Sequence, residues 1–150
     1  MRILALDVGE RRIGVAVSDP TGTLATPHGV IQRRSKAEDF AQVARLVAEL
    51  GAQRVVVGLP LTTGGEMGRQ ARRVARYAQA LAGALTVPVD LHDESFSTVA
   101  AQALLAEGGR KPRTPIDAAA AAVILQEYLE EMANIKSQIP DDICHLSFDI

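Results

Sequence analysis

One short stretch near the amino terminus constrains the fold more than any other. A fully apolar run, Ile3-Leu-Ala-Leu6, is typical of a strand buried on both faces, and a single carboxylate, Asp7, ends it. Residues 9–12 supply turn chemistry, and apolar side chains then alternate with small ones over residues 13–17. This pattern predicts an antiparallel hairpin that holds Asp7 at the tip of a central strand, within reach of a cation or a phosphate.

The composition predicts one α/β domain. A chain of 150 residues can bury roughly two-thirds of its extended surface. Apolar residues make up 47% of it and aromatic residues only 3%, which suits parallel strands covered by Ala-rich helices. Cys144 is the only cysteine, and neither a membrane-length apolar run nor a signal segment is seen. We therefore expect a cytoplasmic protein without a membrane partner, as a monomer or weak homodimer.

The remaining elements follow from turn and capping signals. A third strand over 23–31 contains Pro27 and is therefore expected at a sheet edge. A capping box at Ser35 begins a helix that ends at Gly51. Further along we predict a strand over 54–60, a helix over about 66–81, a strand over 87–91, a helix from a cap at Ser95 or Ser97 to about 106, and a helix from Thr114-Pro115 to about 131.

These elements predict a mixed five-stranded sheet, with a three-stranded antiparallel meander, two parallel strands and helices on both faces. Residues 1–132 would form the domain, and residues 133–150 an acidic carboxyl-terminal extension. The net charge of −2 conceals a basic body, since residues 1–126 carry 15 Lys and Arg against 12 Asp and Glu.

Three acids, Asp7, Glu94 and Asp117, are predicted at one edge of this sheet. Ligands of open α/β sheets bind beyond the carboxyl ends of the strands, and three carboxylates there would repel one another until a divalent cation bound. Oxygen ligands suit Mg²⁺ or Mn²⁺. Each acid also has an ordinary structural explanation. Asp7 could shape a turn, Glu94 could flank a helix start, and Asp117 could belong to a capping turn. Those explanations do not account for the prediction that all three acids lie at the same edge of the sheet.

Basic residues form three groups that could follow a phosphate backbone. The first group repeats at helical spacing along one predicted helix, although such a face is often merely solvated. The groups are Arg69, Arg72, Arg73 and Arg76; Arg11 and Arg12; and Arg110, Lys111 and Arg113. No aromatic ladder accompanies them, which favours recognition of backbone and shape in structured nucleic acid. His92 could assist proton transfer, but a strand-end histidine is more often a packing or surface residue, so it is left out of the catalytic set.

Four motifs resemble the YqgF family of Holliday junction resolvase-like proteins, over residues 1 to about 131. They are Asp7-x-Gly9 with Arg12-Ile-Gly-Val-Ala-Val-Ser-Asp19, Val57-Gly-Leu-Pro-Leu61, Asp93-Glu94, and Asp117-x-x-Ala120-Ala with Ile124-Leu-Gln126-x-Tyr128-Leu129. The resemblance implies a ribonuclease H-like fold, catalytic and metal-binding roles for Asp7, Glu94 and Asp117, and metal-assisted phosphodiester hydrolysis. It also implies processing of the 5′ end of the 16S ribosomal RNA precursor.

Two departures from the family pattern keep alternatives open. Ser95 stands where members often carry an arginine, and Ala120 and Ala121 stand where related resolvases carry a further acid. Protein ligands alone are therefore not expected to bind a second metal tightly. The alternatives are a Holliday junction resolvase acting on branched DNA and a non-catalytic RNA-binding assembly factor. The hairpin also resembles that of actin-like ATPases and sugar kinases, which need two such domains.

Overall fold

A single mixed sheet of five strands forms the centre of the computed structural model, which describes residues 1–60, 68–94 and 116–138. The strands are β1 (Ile3–Val8), β2 (Arg12–Ser18), β3 (Ala25–Gln32), β4 (Arg54–Pro60) and β5 (Val89–Glu94). Their order is β3-β2-β1-β4-β5. The pairs β1/β2 and β2/β3 are antiparallel, and the pairs β1/β4 and β4/β5 are parallel. The predicted meander and parallel pair are confirmed.

Helices cover both faces of the sheet, as predicted. The described helices are α1 (Lys36–Leu50), α2 (Arg69–Ala84) and α3 (Ile116–Gln138). Strand side chains alternate between the faces. In β1, Leu4 and Leu6 pack in one cluster with α1 and α2, whereas Ile3 and Ala5 pack in a second cluster with α3. None of the described helices is both long and apolar enough to cross a membrane.

Local signals placed several boundaries correctly. The Ser35 side chain accepts a hydrogen bond from the Glu38 backbone N–H at 3.2 Å, and Gly51 closes α1 in the left-handed conformation with φ of 66°. Pro27 lies in the edge strand β3, where the register with β2 shifts beside Ala16. An edge strand tolerates the missing N–H of proline, so the sequence-based placement is confirmed.

Several element bounds differ from the predictions. β3 covers Ala25–Gln32 instead of 23–31, and β5 begins at Val89 instead of residue 87. β5 runs to Glu94 rather than ending at residue 91, because pairing with β4 imposes an extended backbone on polar residues that have no strand pattern. α2 covers Arg69–Ala84 instead of 66–81. α3 continues seven residues beyond the expected end at 131, since no proline or glycine interrupts it before Pro140. The predictions for residues 61–67 and 95–115 lie outside the described residues. They include the helix from a cap at Ser95 or Ser97 to about 106 and the Thr114-Pro115 start.

Candidate active site and nucleic-acid interface

The first turn of α3 lies directly against the amino-terminal hairpin. Asp7 of β1 is paired with Gly14 of β2 across the antiparallel ladder. A Cβ atom at Gly14 would lie 1.9 Å from the backbone carbonyl oxygen of Asp117, closer than any side chain could be accommodated. The glycine therefore permits the approach of α3 that brings Asp117 beside Asp7.

Asp7 and Asp117 interact electrostatically. Burial, and secondarily the negative charge of Asp117, raise the pKa of Asp7 from 3.8 to about 6. The Asp117 side chain is about one-quarter exposed, so solvent reaches the pair from one side. Two of the three predicted acids are thus brought together in a partly desolvated setting that favours a bound cation or a bound proton.

Arg12 is the cation closest to this pair among the described ion pairs. Its Nε atom lies 3.3 Å from Oδ2 of Asp117, and its side chain is 57% exposed. Arg12 was predicted to contact nucleic acid, and the structure adds an intramolecular role. It offsets part of the negative charge on Asp117 while most of its guanidinium remains open to solvent.

Glu94 ends β5 at the same edge of the sheet. Its backbone is paired with Pro60 at the end of β4, the strand that lies between β5 and β1. Among the side chains that are described, which do not include that of Glu94, no group of three His, Cys, Asp or Glu is arranged to hold a metal ion.

The predicted arginine stripe lies on the other face of the sheet from Asp117. All four of its arginines are exposed on α2. Three of them, Arg69, Arg73 and Arg76, line a groove of about 690 Å³ that also reaches Gly9 in the hairpin turn. Arg11 is exposed at the hairpin tip. The third predicted group, Arg110, Lys111 and Arg113, lies outside the described residues.

An arginine that the sequence analysis missed anchors the hairpin to this groove. Nη1 of Arg33 donates a 2.7 Å hydrogen bond to the carbonyl oxygen of Gly9, and its guanidinium carbon lies 4.7 Å from the ring centroid of Tyr77. Its Nε atom is 3.7 Å from the buried carboxylate of Asp39, which also accepts a 3.0 Å hydrogen bond from the Tyr77 hydroxyl. In the sequence, Asp39 resembles an ordinary acid of a first helical turn, so nothing marked it as a partner.

His92 is buried beneath α3. Its Nε2 atom lies 3.3 Å from a carboxylate oxygen of Glu127 and its Nδ1 atom 3.5 Å from one of Glu131. Its ring also meets Tyr128 edge to face, at 6.0 Å between centroids. Of the two structural roles left open for His92, packing and surface, the structure shows packing, because the ring is buried and both of its nitrogens face α3.

Solved structures of low sequence identity share the fold. The chain aligns with Thermus thermophilus RuvC in complex with a Holliday junction substrate at a TM-score of 0.58 and 18% identity, over 89% of this chain and 96% of that one. It aligns with the fowlpox virus resolvase in complex with Holliday junction DNA at a TM-score of 0.54 and 13% identity, over 88% and 99%. At such identities the likeness supports the ribonuclease H-like fold alone.

Sequence relatives are much closer. A protein of Chloroflexus aggregans named "Putative pre-16S rRNA nuclease" is 50% identical over 135 residues, which is 88% of this chain and 95% of the relative. A protein of the same name from Chloroflexus aurantiacus is 50% identical over 131 residues, or 85% and 86%. The profile of the RuvX family, described as Holliday junction resolvase, matches residues 1–131. The chain therefore belongs to the RuvX family.

Proposed function

We propose that this chain is a divalent-metal-dependent nuclease that processes the 5′ end of the 16S ribosomal RNA precursor by hydrolysing a phosphodiester bond. The observation that carries the proposal is the partly buried, electrostatically coupled pair formed by Asp7 at the end of β1 and Asp117 in the first turn of α3. The name shared by the relatives at 50% identity supports the choice of RNA substrate.

The donor set fits a hard divalent cation. Asp7 and Asp117 offer carboxylate oxygens. Burial together with the charge of Asp117 raises the pKa of Asp7, and a bound cation would stabilise the charged form of the carboxylate. Asp7, Asp117 and Glu94 would hold Mg²⁺ or Mn²⁺. A bound ion would supply an activated water and would neutralise charge on the leaving 3′ oxygen.

The chain itself supplies position and charge. Gly14 fixes the distance between β2 and the start of α3, so the two carboxylates are arranged before the substrate arrives. Arg12, more than half exposed beside Asp117, has guanidinium N–H groups left to donate to a phosphate oxygen of the scissile strand. Retention of a proton on Asp7 would weaken metal binding, so the site works best above its pKa.

The test uses a precursor ribosomal RNA fragment and a four-way DNA junction, each with Mn²⁺ and with a chelator. We expect the wild-type chain to cut the RNA only when Mn²⁺ is present. Asp7→Asn is expected to abolish cutting while nucleic-acid binding remains, and Glu49→Gln, an exposed acid on α1, serves as the control and should cut normally.

A resolvase acting on branched DNA is the second candidate, favoured by the description of the family. Metal-dependent cutting of the DNA junction alone would support it and overturn the RNA assignment. Binding of the precursor RNA without any cutting, unchanged by Asp7→Asn, would instead support a non-catalytic assembly factor.

A further inference from the structure

A second basic surface lies across the sheet from the carboxylates. Strand residues alternate between faces, so Val8 packs with α1 and α2, whereas Asp7 lies on the face covered by α3. The groove beside Val8 is formed by α2, the start of α1 and the hairpin turn. Its described charged lining consists of one acid, Glu10, and five basic residues, Arg33, Lys36, Arg69, Arg73 and Arg76.

Four of these basic side chains are available to a ligand. Arg33 is already committed to Asp39 and to the Gly9 carbonyl. Within the described ranges, no carboxylate lies within 4.0 Å of a nitrogen of Lys36 or of the three arginines of α2 that line the groove. Unpaired cations gathered in one concave surface attract a polyanion, because their fields add there.

The spacing of these cations suits a polymer of phosphates. Arg69 and Arg76 are seven residues apart on α2, so their positions differ by about 10.5 Å along the helix axis. One strand of a duplex places a phosphate about every 3.4 Å along the duplex axis, so along an axis parallel to α2 that distance covers about three phosphates. Tyr77 is the only aromatic residue in the described lining, and it is 4% exposed, so the groove offers no stacking platform for bases.

We propose that this groove binds the phosphate backbone of a duplex arm that flanks the cleavage point, on the opposite face of the sheet from Asp7 and Asp117. The inference rests on the proposed function, because it assumes that one substrate contacts the carboxylates on one face of the sheet and the groove on the other. The groove reaches Gly9 in the hairpin turn, and Arg11 and Arg12 are exposed beside it, so a backbone that contacts both faces can pass around the hairpin tip. The groove therefore selects bent or branched nucleic acid over a straight duplex.

The hairpin tip is held firmly enough to act as the edge around which the substrate turns. Arg33 joins the Gly9 carbonyl to Asp39 of α1 and to Tyr77 of α2. The backbone N–H of Arg33 also donates a 2.9 Å hydrogen bond to the backbone carbonyl oxygen of Arg11. Because these contacts come from both neighbouring helices, the groove and the carboxylate-bearing hairpin form one rigid unit.

The experiment compares two variants that change the net charge equally. Arg73→Gln/Arg76→Gln removes two positive charges from the groove, and Arg45→Glu changes the charge by two at an exposed position of α1 that does not line it. Binding of the full chain to four-way DNA and RNA junctions is measured by fluorescence anisotropy without divalent metal. The junctions carry arms of about two helical turns or about half a turn.

We expect the wild-type chain to bind long-armed junctions more tightly than short-armed ones. The groove variant should lose that advantage, with binding of long-armed junctions about tenfold weaker at low salt and a salt-dependence slope lower by about two. Arg45→Glu should keep the advantage of long arms, and its lower net charge should weaken binding to long-armed and short-armed junctions equally and by less than tenfold. Three outcomes would each overturn the proposal. The groove variant could lose the same affinity for long-armed and short-armed junctions, it could lose no more affinity than Arg45→Glu, or it could bind as the wild type does.

Failure of the groove and failure of the nuclease are separable in this design. Asp7→Asn should retain the full advantage of long arms while it cuts nothing, since the groove lies on the other face. A wild-type chain that never cuts but still shows the advantage would overturn the nuclease and keep the groove. Metal-dependent cutting together with no effect of Arg73→Gln/Arg76→Gln on binding would keep the nuclease and overturn the groove.

Discussion

At the scale of single residues, the partly buried carboxylate of Asp7 should reduce stability when no metal is bound. Its pKa is about 6 in the folded chain and near 3.8 in the unfolded chain. Between those values the folded chain binds the extra proton, so the contribution of Asp7 to the free energy of unfolding is greatest below about 3.8 and is lost as the pH rises through about 6. In mildly alkaline buffer, Asp7→Asn should therefore be more stable than the wild type, by on the order of 2 kcal/mol.

Urea unfolding followed by circular dichroism, in the presence of a chelator, measures this difference. The gain should vanish in acid, where Asp7 is protonated in both states, and Glu49→Gln should show no comparable gain. Excess Mg²⁺ should stabilise the wild type and reduce the difference. An Asp7→Asn chain less stable than the wild type in alkaline, metal-free buffer would contradict the cost assigned to burying a charged Asp7 beside Asp117.

The same carboxylate predicts how the rate of cutting depends on pH. Protons and divalent ions compete for Asp7, whose pKa of about 6 sets the midpoint of the acidic limb when metal is scarce. Raising the Mn²⁺ concentration should move that midpoint to lower pH. Initial rates at several fixed Mn²⁺ concentrations provide the measurement. A midpoint that stays fixed would show that the titrating group is not a metal ligand.

At the scale of elements, the contact between β2 and α3 should tolerate no side chain at position 14. In Gly14→Ala, the new methyl group would displace the backbone at Asp117, so we expect a loss of about 1–3 kcal/mol in the free energy of unfolding. Cutting should fall more steeply, since a shift of about 1 Å in a catalytic group can cost about 100-fold in rate. Urea unfolding and initial rates are compared on the same preparations.

Gly29 of β3 provides the matched control. A Cβ atom there meets nothing within 4 Å, so Gly29→Ala should leave cutting unchanged and stability equal or slightly higher. If both substitutions had the same effect, the close approach of α3 would not be the cause. If Gly14→Ala lost stability but kept full activity, the position of Asp117 would not matter for the reaction.

The elements that the sequence predicted well are those whose signals are local. The apolar run before Asp7, the Ser35 cap and the left-handed Gly51 each act within a few residues, and each was confirmed. The end of β5 was misplaced because pairing with β4, a distant segment, decides it. The contact of Gly14 with α3 was not predicted, since it joins segments about 100 residues apart.

The candidate site divides in the same way. The sequence selected Asp7 and Asp117 from strand and helix positions, and the structure brings them together. It did not reveal that Arg12 pairs with Asp117, or that the arginines of α2 lie across the sheet from it. A face of a helix can be read from spacing, but the face of the sheet on which that helix packs depends on the connections between strands.

At the scale of the whole molecule, the net charge of the chain should affect its affinity for nucleic acid, in addition to the individual contacts. The chain carries 16 Lys and Arg and 18 Asp and Glu, a net charge of −2. Residues 139–150 contain three of those acids, Asp141, Asp142 and Asp149, and no Lys or Arg, so a chain ending at Gln138 would carry +1. Long-range attraction to a polyanion depends on this net charge as well as on the basic groove.

Removing residues 139–150 should therefore tighten binding of a four-way junction by several-fold at low salt, mainly through faster association. The effect should disappear toward 1 M salt, where the screening length falls to about 3 Å. Stopped-flow association rates across a salt series provide the measurement, and the full-length chain with Asp141, Asp142 and Asp149 replaced by Asn is the control. If charge is the cause, that triple variant matches the truncated chain at every salt concentration. If the triple variant instead behaves like the wild type while the truncated chain binds more tightly, the terminal residues obstruct the nucleic acid by their bulk, and the electrostatic explanation fails.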